Sequence, residues 1–264
     1  MKVRGVIGVV HVAAMPGDPA YRGGGFEAAI DAAKRDADAL VEGGVSAIIV
    51  ENFGSAPFPK GTPEQPTPPH QIALLTLAVD ACARLGKPVG VNVLRNDVRA
   101  ALGIAAATGV DFVRVNVHVG AYVTDQGLIE GRAFETLRYR DLLDARDVAI
   151  LADVRVKHAT PLAPLSIDTE VKDALKRGMA DAVVVTGSGT GEPVSHDLLR
   201  EVREAAGDAT VVIGSGMDPE RAPLARLADA AIVGTWLKRD GVVSAPVDAD
   251  RVRRLVAELE FRAP

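Results

Sequence analysis

Eight short runs rich in Val and Ile recur along the chain at intervals of about 30 residues. They cover residues 6–11, 47–52, 88–93, 112–117, 149–154, 182–187, 210–215 and 231–236. The segments between them carry apolar residues three and four positions apart, which is the spacing of an amphipathic helix. A strand followed by a helix, repeated eight times without a flexible linker, predicts a single α/β domain over residues 1–264, folded as a closed (β/α)8 barrel.

The composition of the chain agrees with such a barrel. Its 264 residues match the usual length of this fold. Only 4% of the residues are aromatic, so the core must consist of Ala, Val, Ile and Leu, which suits parallel strands covered on both faces. The single cysteine, Cys82, excludes an internal disulfide and favours a reducing compartment.

The charge and hydropathy of the chain limit its partners. A net charge of −5 argues against a protein that binds nucleic-acid polymers or anionic membranes in general. No stretch approaches eighteen uninterrupted apolar residues, so we expect no transmembrane segment and a cytoplasmic location, with peripheral membrane contact left open. We also expect a homo-oligomer.

The loops that follow the strands are longer than the loops that precede them. Four strand-to-helix connections cover residues 11–25, 52–69, 118–133 and 158–167. Long ordered loops cost conformational entropy and are usually retained for function, and active sites of this fold lie at the C-terminal ends of the strands. The proline-rich part, 56–69, is interpreted as a rigid loop of this face, with a flexible linker or polyproline ligand as the alternative.

Polar residues stand at the ends of five predicted strands: His11, Glu51, Asn92, Asn116 and Asp153. Side chains two positions apart share a face of a strand, so all five are expected at the mouth of the barrel, and Arg114 and His118 share the face of Asn116. Buried polar groups need partners, which predicts a ligand site or a fully paired network. For each residue alone the simpler alternative is a structural role, such as an Asn that fixes a loop.

Acid–base chemistry is the first interpretation of these residues. The candidates for catalysis are Glu51, Asp153, Lys157 and His11. Lys157 is also a candidate Schiff-base nucleophile or phosphate ligand, with an ion pair at the surface as the alternative. A divalent metal held by Glu51, Asp153 and a histidine is left open, and no other cofactor is implied.

A second group of residues is expected to bind the substrate. Arg95, directly after the third strand, is a candidate anion ligand, with an exposed loop position as the equal alternative. The group comprises Asn92, Arg95, Asn116, His118, His158 and Thr186.

Glycine-rich loops follow the last three predicted strands. Their backbone N–H groups can approach an anion closely, and the loops after strands seven and eight of this fold often bind phosphate. The candidates are Gly187, Gly189, Gly191, Gly214, Ser215, Gly216, Gly234 and Thr235. Each loop alone is more often a tight turn, and no P-loop or dinucleotide fingerprint is present.

Several long motifs extend over nearly the whole chain: IGVVHVAAMPGDPAY, GGVSAIIVENFGSAPF, VGVNVLRNDVRAAL, FVRVNVHVGAYVTDQGLIEG, ILADVRVKHATPL, VVVTGSGTG and VVIGSGMDPE. With them the sequence resembles the BtpA family, which includes SgcQ-type proteins. It departs from the family pattern in HVAAMPG, where HLPPLPG is typical, and in TGSGTG, its version of a TGxxTG loop. The resemblance implies a (β/α)8 barrel, in agreement with the pattern of strands.

What the resemblance implies about activity is divided. The family takes its name from a requirement for photosystem I accumulation, as an extrinsic thylakoid factor, but it also has members in organisms without photosynthesis and among sugar-phosphate enzymes. The leading hypothesis is an enzyme that acts on a phosphorylated sugar or nucleotide-related metabolite by isomerisation, epimerisation, aldol cleavage or glycosidic-bond cleavage. The alternatives are a non-catalytic, membrane-associated assembly factor involved in photosystem I biogenesis and a ligand-binding regulatory barrel.

Overall fold

The computed structural model describes residues 4–187 and 193–262. Its strands are β1 (Gly5–His11), β2 (Ala47–Glu51), β3 (Val89–Asn92), β4 (Phe112–Val115), β5 (Ala121–Thr124), β6 (Gly127–Glu130), β7 (Ala149–Val154), β8 (Ala159–Pro161), β9 (Ala182–Val185), β10 (Thr210–Ile213) and β11 (Ala230–Val233). Eight of them form a closed parallel barrel in the order β1–β11–β10–β9–β7–β4–β3–β2. The predicted (β/α)8 barrel is therefore confirmed.

Helices cover the outside of the barrel. Within the described ranges they are α1 (Gly25–Glu42), α2 (Pro69–Ala83), α3 (Val98–Thr108), α4 (Ala133–Leu142), α5 (Ile167–Lys172), α6 (His196–Ala206) and α7 (Ala249–Glu258). The prediction of eight α-helices fails between β10 and β11, where Pro219–Leu227 forms a 3-10 helix. Pro223 lies inside this segment and lacks the N–H that an α-helix needs there.

The interior of the barrel is filled by side chains of different size from neighbouring strands. Ile7, Ile49, Leu151 and other strand residues form this inner cluster together with Phe112, which is fully buried. Gly90 on β3 is paired with Phe112 on β4, and a Cβ atom at Gly90 would overlap the Phe112 ring. A glycine at this position therefore makes room for the one aromatic ring of the inner cluster.

A buried ion pair joins the first helix to the segment after the last strand. Lys238 is 2% exposed and pairs through Nζ with Asp36 Oδ2 of α1. The other carboxylate oxygen of Asp36 accepts a hydrogen bond from Val247 N at 2.8 Å. Residues that are 202 positions apart in the sequence are thus held together.

A second sheet lies over one side of the barrel mouth and was not predicted. Strands β6, β5 and β8 form it in antiparallel pairing. Val117, Tyr122, Ile129 and Val156 form a small apolar core beneath it. The sheet holds Asp125, in the turn between β5 and β6, at the mouth of the barrel.

Candidate active site

A cavity of about 410 Å³ opens at the C-terminal end of the barrel. Side chains from the ends of β1, β2, β3 and β4 line it, together with the loops after β7, β10 and β11. Its volume is that of a typical small-molecule site. Of the residues predicted for the mouth, His11, Glu51, Asn92 and Asn116 line this cavity.

Arg114 organises the floor of the cavity. It is 5% exposed, and its Nε and Nη2 atoms donate hydrogen bonds to Asp153 Oδ1 at 2.8 Å and Oδ2 at 2.9 Å. Its Nη1 lies 3.5 Å from Glu51 Oε1. Burial by itself would lower the pKa of Arg114, but the charges of Asp153 and Glu51 outweigh it and raise the pKa above its usual value. Arg114 is therefore a fixed cation between two carboxylates.

Asp153 lies beneath the cavity and does not line it. Both carboxylate oxygens accept hydrogen bonds from Arg114, and Asn116 Nδ2 donates to Oδ2 at 3.0 Å. Its side chain has no exposed surface. In this structure Asp153 holds Arg114 and Asn116 in place and does not face the cavity, and its predicted catalytic role stays a prediction.

Glu51 is the carboxylate that reaches the cavity. Its Oε1 accepts a hydrogen bond from Asn92 Nδ2 at 3.2 Å, in addition to its contact with Arg114. Its Oε2 lies 4.0 Å from His11 Nε2 and accepts no hydrogen bond from the described residues. One carboxylate oxygen of Glu51 is thus held by two hydrogen-bond donors, while the other has none among the described residues.

His11 stands beside Glu51 as a neutral imidazole. Burial lowers its pKa to about 4, although the charge of Glu51 opposes this shift. The ring packs on Phe53 with a centroid separation of 4.6 Å. A Cβ atom at Gly234 would lie 2.7 Å from His11 Cε1, so the glycine leaves room for the imidazole.

Two further cations, Lys157 and Arg95, line the cavity. Burial lowers the pKa of Lys157, and the charge of Arg114 lowers it further. Arg95 Nη2 donates a hydrogen bond to the backbone oxygen of Lys157. Arg95 Nε lies 3.9 Å from Asp125 Oδ1. His158, next to Lys157, also lines the cavity.

The glycine loops after β10 and β11 form the wall of the cavity that lies across the barrel from Arg95. Gly214, Ser215, Gly216, Gly234 and Thr235 all line the cavity. Gly216 has a φ of +75°, a conformation that favours glycine.

The loop after β9 contributes less than expected in the described part of the chain. Gly187 does not line the cavity, and Gly189 and Gly191 lie outside the described residues. Thr186 is buried and donates a hydrogen bond to the backbone oxygen of Arg155 at 3.1 Å. It therefore fixes the loop that carries Lys157 instead of lining the cavity.

His118 is not at the mouth of the barrel, and its predicted place is wrong. Its Nε2 atom forms a hydrogen bond with the backbone oxygen of Gly178 at 2.8 Å. Strand β4 ends at Val115, so the alternation of side chains does not continue to residue 118.

The structure offers little support for the metal alternative. No group of three or more His, Cys, Asp or Glu side chains able to hold a metal ion occurs in residues 4–187 and 193–262. The guanidinium group of Arg114 takes the place between Glu51 and Asp153 that a cation would occupy.

In residues 4–187 and 193–262, no helix has the length and apolar character required to cross a bilayer.

Aromatic residues of the cavity were missed from the sequence. The chain has six Phe, three Tyr and one Trp. Three of these residues line the cavity: Phe53, Phe58 and Trp236. The Arg251 guanidinium carbon lies 4.4 Å from the centre of the Trp236 ring. A usable signal was their position in the sequence, because Phe53 and Phe58 follow the predicted strand 47–52 within a few residues and Trp236 ends the predicted strand 231–236.

The fold and the cavity define this protein as a (β/α)8 barrel with a polar small-molecule site at the C-terminal ends of its strands. Residues 2–260 match the BtpA family, and the chain belongs to this family. It is 46% identical over 253 residues to the photosystem I biogenesis protein BtpA of Synechocystis sp., an alignment that covers 95% of this chain and 86% of that protein.

Solved structures of low sequence identity share the fold. Tryptophan synthase of Mycobacterium tuberculosis superimposes with a TM-score of 0.58 at 20% identity, covering 97% of this chain and 91% of that chain. The 2-keto-3-deoxy-6-phospho-gluconate aldolase of Zymomonas mobilis gives a TM-score of 0.55 at 15% identity, covering 97% and 92%.

Proposed function

We propose that this protein is an enzyme that acts on a small phosphorylated metabolite, either a sugar phosphate or a nucleotide-related compound. The observation that carries the proposal is the meeting of Glu51, His11 and Lys157 in one cavity that the glycine loops after β10 and β11 also line. Such groups supply proton transfer beside a bound anion. The name of the structurally similar aldolase, which describes a phosphorylated substrate, supports the same class.

Each group has a distinct role in this proposal. Glu51 Oε2, which accepts no hydrogen bond from the described residues, acts as the general base. His11 is neutral near pH 7 and donates or accepts a hydrogen bond without changing its charge. Lys157 returns the proton from its ammonium form. Alternatively, its amine forms a Schiff base with a carbonyl substrate, and the lowered pKa increases the fraction of free amine available for this step.

The backbone of residues 214–216 and 234–235 binds the phosphate in this proposal. Isomerisation, epimerisation, aldol cleavage and glycosidic-bond cleavage all use a proton acceptor and a proton donor beside the phosphorylated sugar. The polar floor around Arg114 keeps the acid–base groups in place for any of these reactions.

Thermal-shift measurements with sugar phosphates, nucleotides and their unphosphorylated counterparts test the binding part of the proposal. A phosphorylated ligand at a hundredfold excess over its Kd should stabilise the protein by about 3 kcal/mol. Gly216→Asp should abolish the stabilisation by repulsion, while Gly216→Asn, of similar shape and tolerance for positive φ, should retain more of it. No response to any phosphorylated compound would contradict the proposal.

The catalytic part is tested with the ligand so found. Glu51→Gln should bind it with a similar Kd but turn it over roughly 10²- to 10⁴-fold more slowly. Borohydride treatment of the wild-type protein with a carbonyl ligand should add the mass of the reduced adduct at Lys157 only if a Schiff base forms. Unchanged turnover in Glu51→Gln would exclude Glu51 as the base.

The assembly-factor alternative is supported by the name of the Synechocystis relative. It predicts a mouth without converging charges, whereas Glu51, Arg114 and Lys157 line one cavity. A Glu51→Gln protein that folds normally and fully replaces the wild type in a cell that requires it would favour this alternative over the enzyme.

A further inference from the structure

Two walls of the cavity face each other across the barrel. The strand order places β3, β4 and β7 next to one another and places β10 and β11 on the far side. Arg95 follows β3 and Lys157 follows β7, whereas the glycine loops follow β10 and β11. Arg95 therefore lies across the cavity from the loop after β10, and Lys157 lies on the side of β7, which β9 separates from β10.

Arg95 and Lys157 have no carboxylate partner as close as those of Arg114, although the charges of Glu51 and Asp153 act on both of them from farther away. In residues 4–187 and 193–262, the carboxylate within 4 Å of Arg95 is that of Asp125, at 3.9 Å, and its side chain is 60% exposed. No carboxylate of the same ranges lies within 4 Å of Lys157 Nζ. Arg114, in contrast, has two close carboxylate partners.

Buried cations without close counterions are costly, because desolvation is not offset by an ion pair. The Arg95 side chain is only 7% exposed, and burial lowers the pKa of both Arg95 and Lys157. An anionic group of a ligand placed between them would supply the missing charge and accept charge-assisted hydrogen bonds.

We infer that the substrate carries a second anionic group, a carboxylate or a second phosphate, which binds at Arg95 and Lys157 while its phosphate binds at the loops after β10 and β11. This inference rests on the proposed function and specifies its substrate class. The reacting carbon atoms would lie between the two anionic groups, beside Glu51 and His11, which end the adjoining strands β2 and β1.

Asp125 occupies the second anion site in the ligand-free protein. Its long, exposed contact with Arg95 is weak, because exposed ion pairs are screened by solvent. A ligand anion can therefore replace it at Arg95, and Asp125 competes with that anion for the guanidinium group.

Paired probes that differ in one anionic group test the inference. Fructose 1,6-bisphosphate is compared with fructose 6-phosphate, and 6-phosphogluconate with glucose 6-phosphate, by calorimetry at constant ionic strength. The member with two anionic groups should bind roughly ten- to hundredfold more tightly in at least one pair. The first pair reports a second phosphate and the second pair reports a carboxylate.

Variants assign the difference to the two residues. Arg95→Gln should remove the advantage of the doubly anionic probe and leave the Kd of the monophosphate unchanged, while Arg95→Lys should retain part of it. Asp125→Asn should tighten binding of the doubly anionic probe several-fold without affecting the monophosphate. Asp125 is exposed, so this second variant keeps the test valid if Arg95→Gln fails to fold.

The outcomes separate the inference from the proposed function. Equal affinities within both pairs, with clear binding of the monophosphates, would overturn the inference and leave the proposed function standing. Binding of none of the four probes nor of any other phosphorylated compound would overturn both. An advantage that persists in Arg95→Gln would also overturn the assignment to this site.

Discussion

Arg114 shows how one side chain can set the chemistry of several others. By binding both oxygens of Asp153 it removes that carboxylate from the cavity, and by contacting Glu51 Oε1 it holds one oxygen of the second carboxylate. Among the oxygens of these two carboxylates, Glu51 Oε2 is the one that accepts no hydrogen bond from the described residues. Because the pair is buried, replacing either partner alone would leave an uncompensated charge.

His11 should make the stability of the protein depend on pH between about 4 and 6.5. Burial lowers its pKa in the folded protein to about 4, whereas in the unfolded chain it is about 6.5. The unfolded state therefore binds a proton in this range and the folded state does not. The free energy of unfolding should fall by about 3 kcal/mol as the pH decreases from 6.5 to 4. Below pH 4, His11 should cause no further decrease.

Urea unfolding of the wild type and of His11→Gln at pH 7, 5.5 and 4 measures this contribution. Glutamine does not titrate, so the free energy of unfolding of the wild type should fall on acidification relative to that of His11→Gln. The contributions of the carboxylates are common to both proteins and cancel in the difference. Parallel pH profiles for the two proteins would show that His11 is not buried as a neutral imidazole.

At the residue scale, the sequence predicted the strand-end residues better than their partners. Alternation along β1 to β4 brought His11, Glu51, Asn92 and Asn116 to the cavity. The pairing of Asp153 with Arg114 could not be predicted, because it depends on the register between the neighbouring strands β4 and β7, in which Arg114 stands opposite Leu151. Whether these residues act in catalysis stays a prediction.

Among the elements, β3 and β4 depend on each other through the pair Gly90 and Phe112. Gly90→Ala should lower the free energy of unfolding by about 1–3 kcal/mol, because the added methyl group overlaps the Phe112 ring in a closely packed interior. Gly103→Ala is the control, since Gly103 lies in α3 and its Cβ would contact only Tyr139 Oη, at 3.8 Å.

Denaturant unfolding of both variants gives the comparison. The control should be neutral or stabilising by up to about 1 kcal/mol, because alanine favours a helix over glycine. If Gly90→Ala were as stable as the control, the inner cluster would have to be less closely packed than the structure shows.

Elements with a strong periodic pattern were predicted, and short elements inside loops were not. All eight barrel strands occur near their predicted positions. The sheet of β5, β6 and β8 was missed because each strand has only three or four residues and its apolar face covers a small local core. An α-helix is wrongly predicted for Pro219–Leu227, because Pro223 inside the segment argues against one, whereas Pro219 at its first position does not.

For the molecule as a whole, the pair Asp36–Lys238 joins the first and last parts of the barrel. Lys238→Met should lower the free energy of unfolding by about 3–5 kcal/mol, because it leaves a buried carboxylate without its cation. The double variant with Asp36→Asn should recover a large part of this loss, since the Asn oxygen still accepts the hydrogen bond from Val247 N.

Differential scanning calorimetry of the wild type, Lys238→Met and the double variant measures these changes. A double variant as unstable as Lys238→Met would indicate that the packing of the lysine side chain, rather than the unpaired charge, accounts for the loss. Two separate transitions in the single variant would mean that the first helix and the last loop no longer unfold together with the barrel.

Trp236 gives the molecule a property that follows from its place in the cavity. It is the single tryptophan of the chain and lines the cavity beside the glycine loop after β11. The intrinsic fluorescence excited at the red edge of protein absorption therefore originates at the site itself. Quenching or a spectral shift of this emission reports occupancy without a label, and rapid mixing can follow the arrival of a ligand in real time.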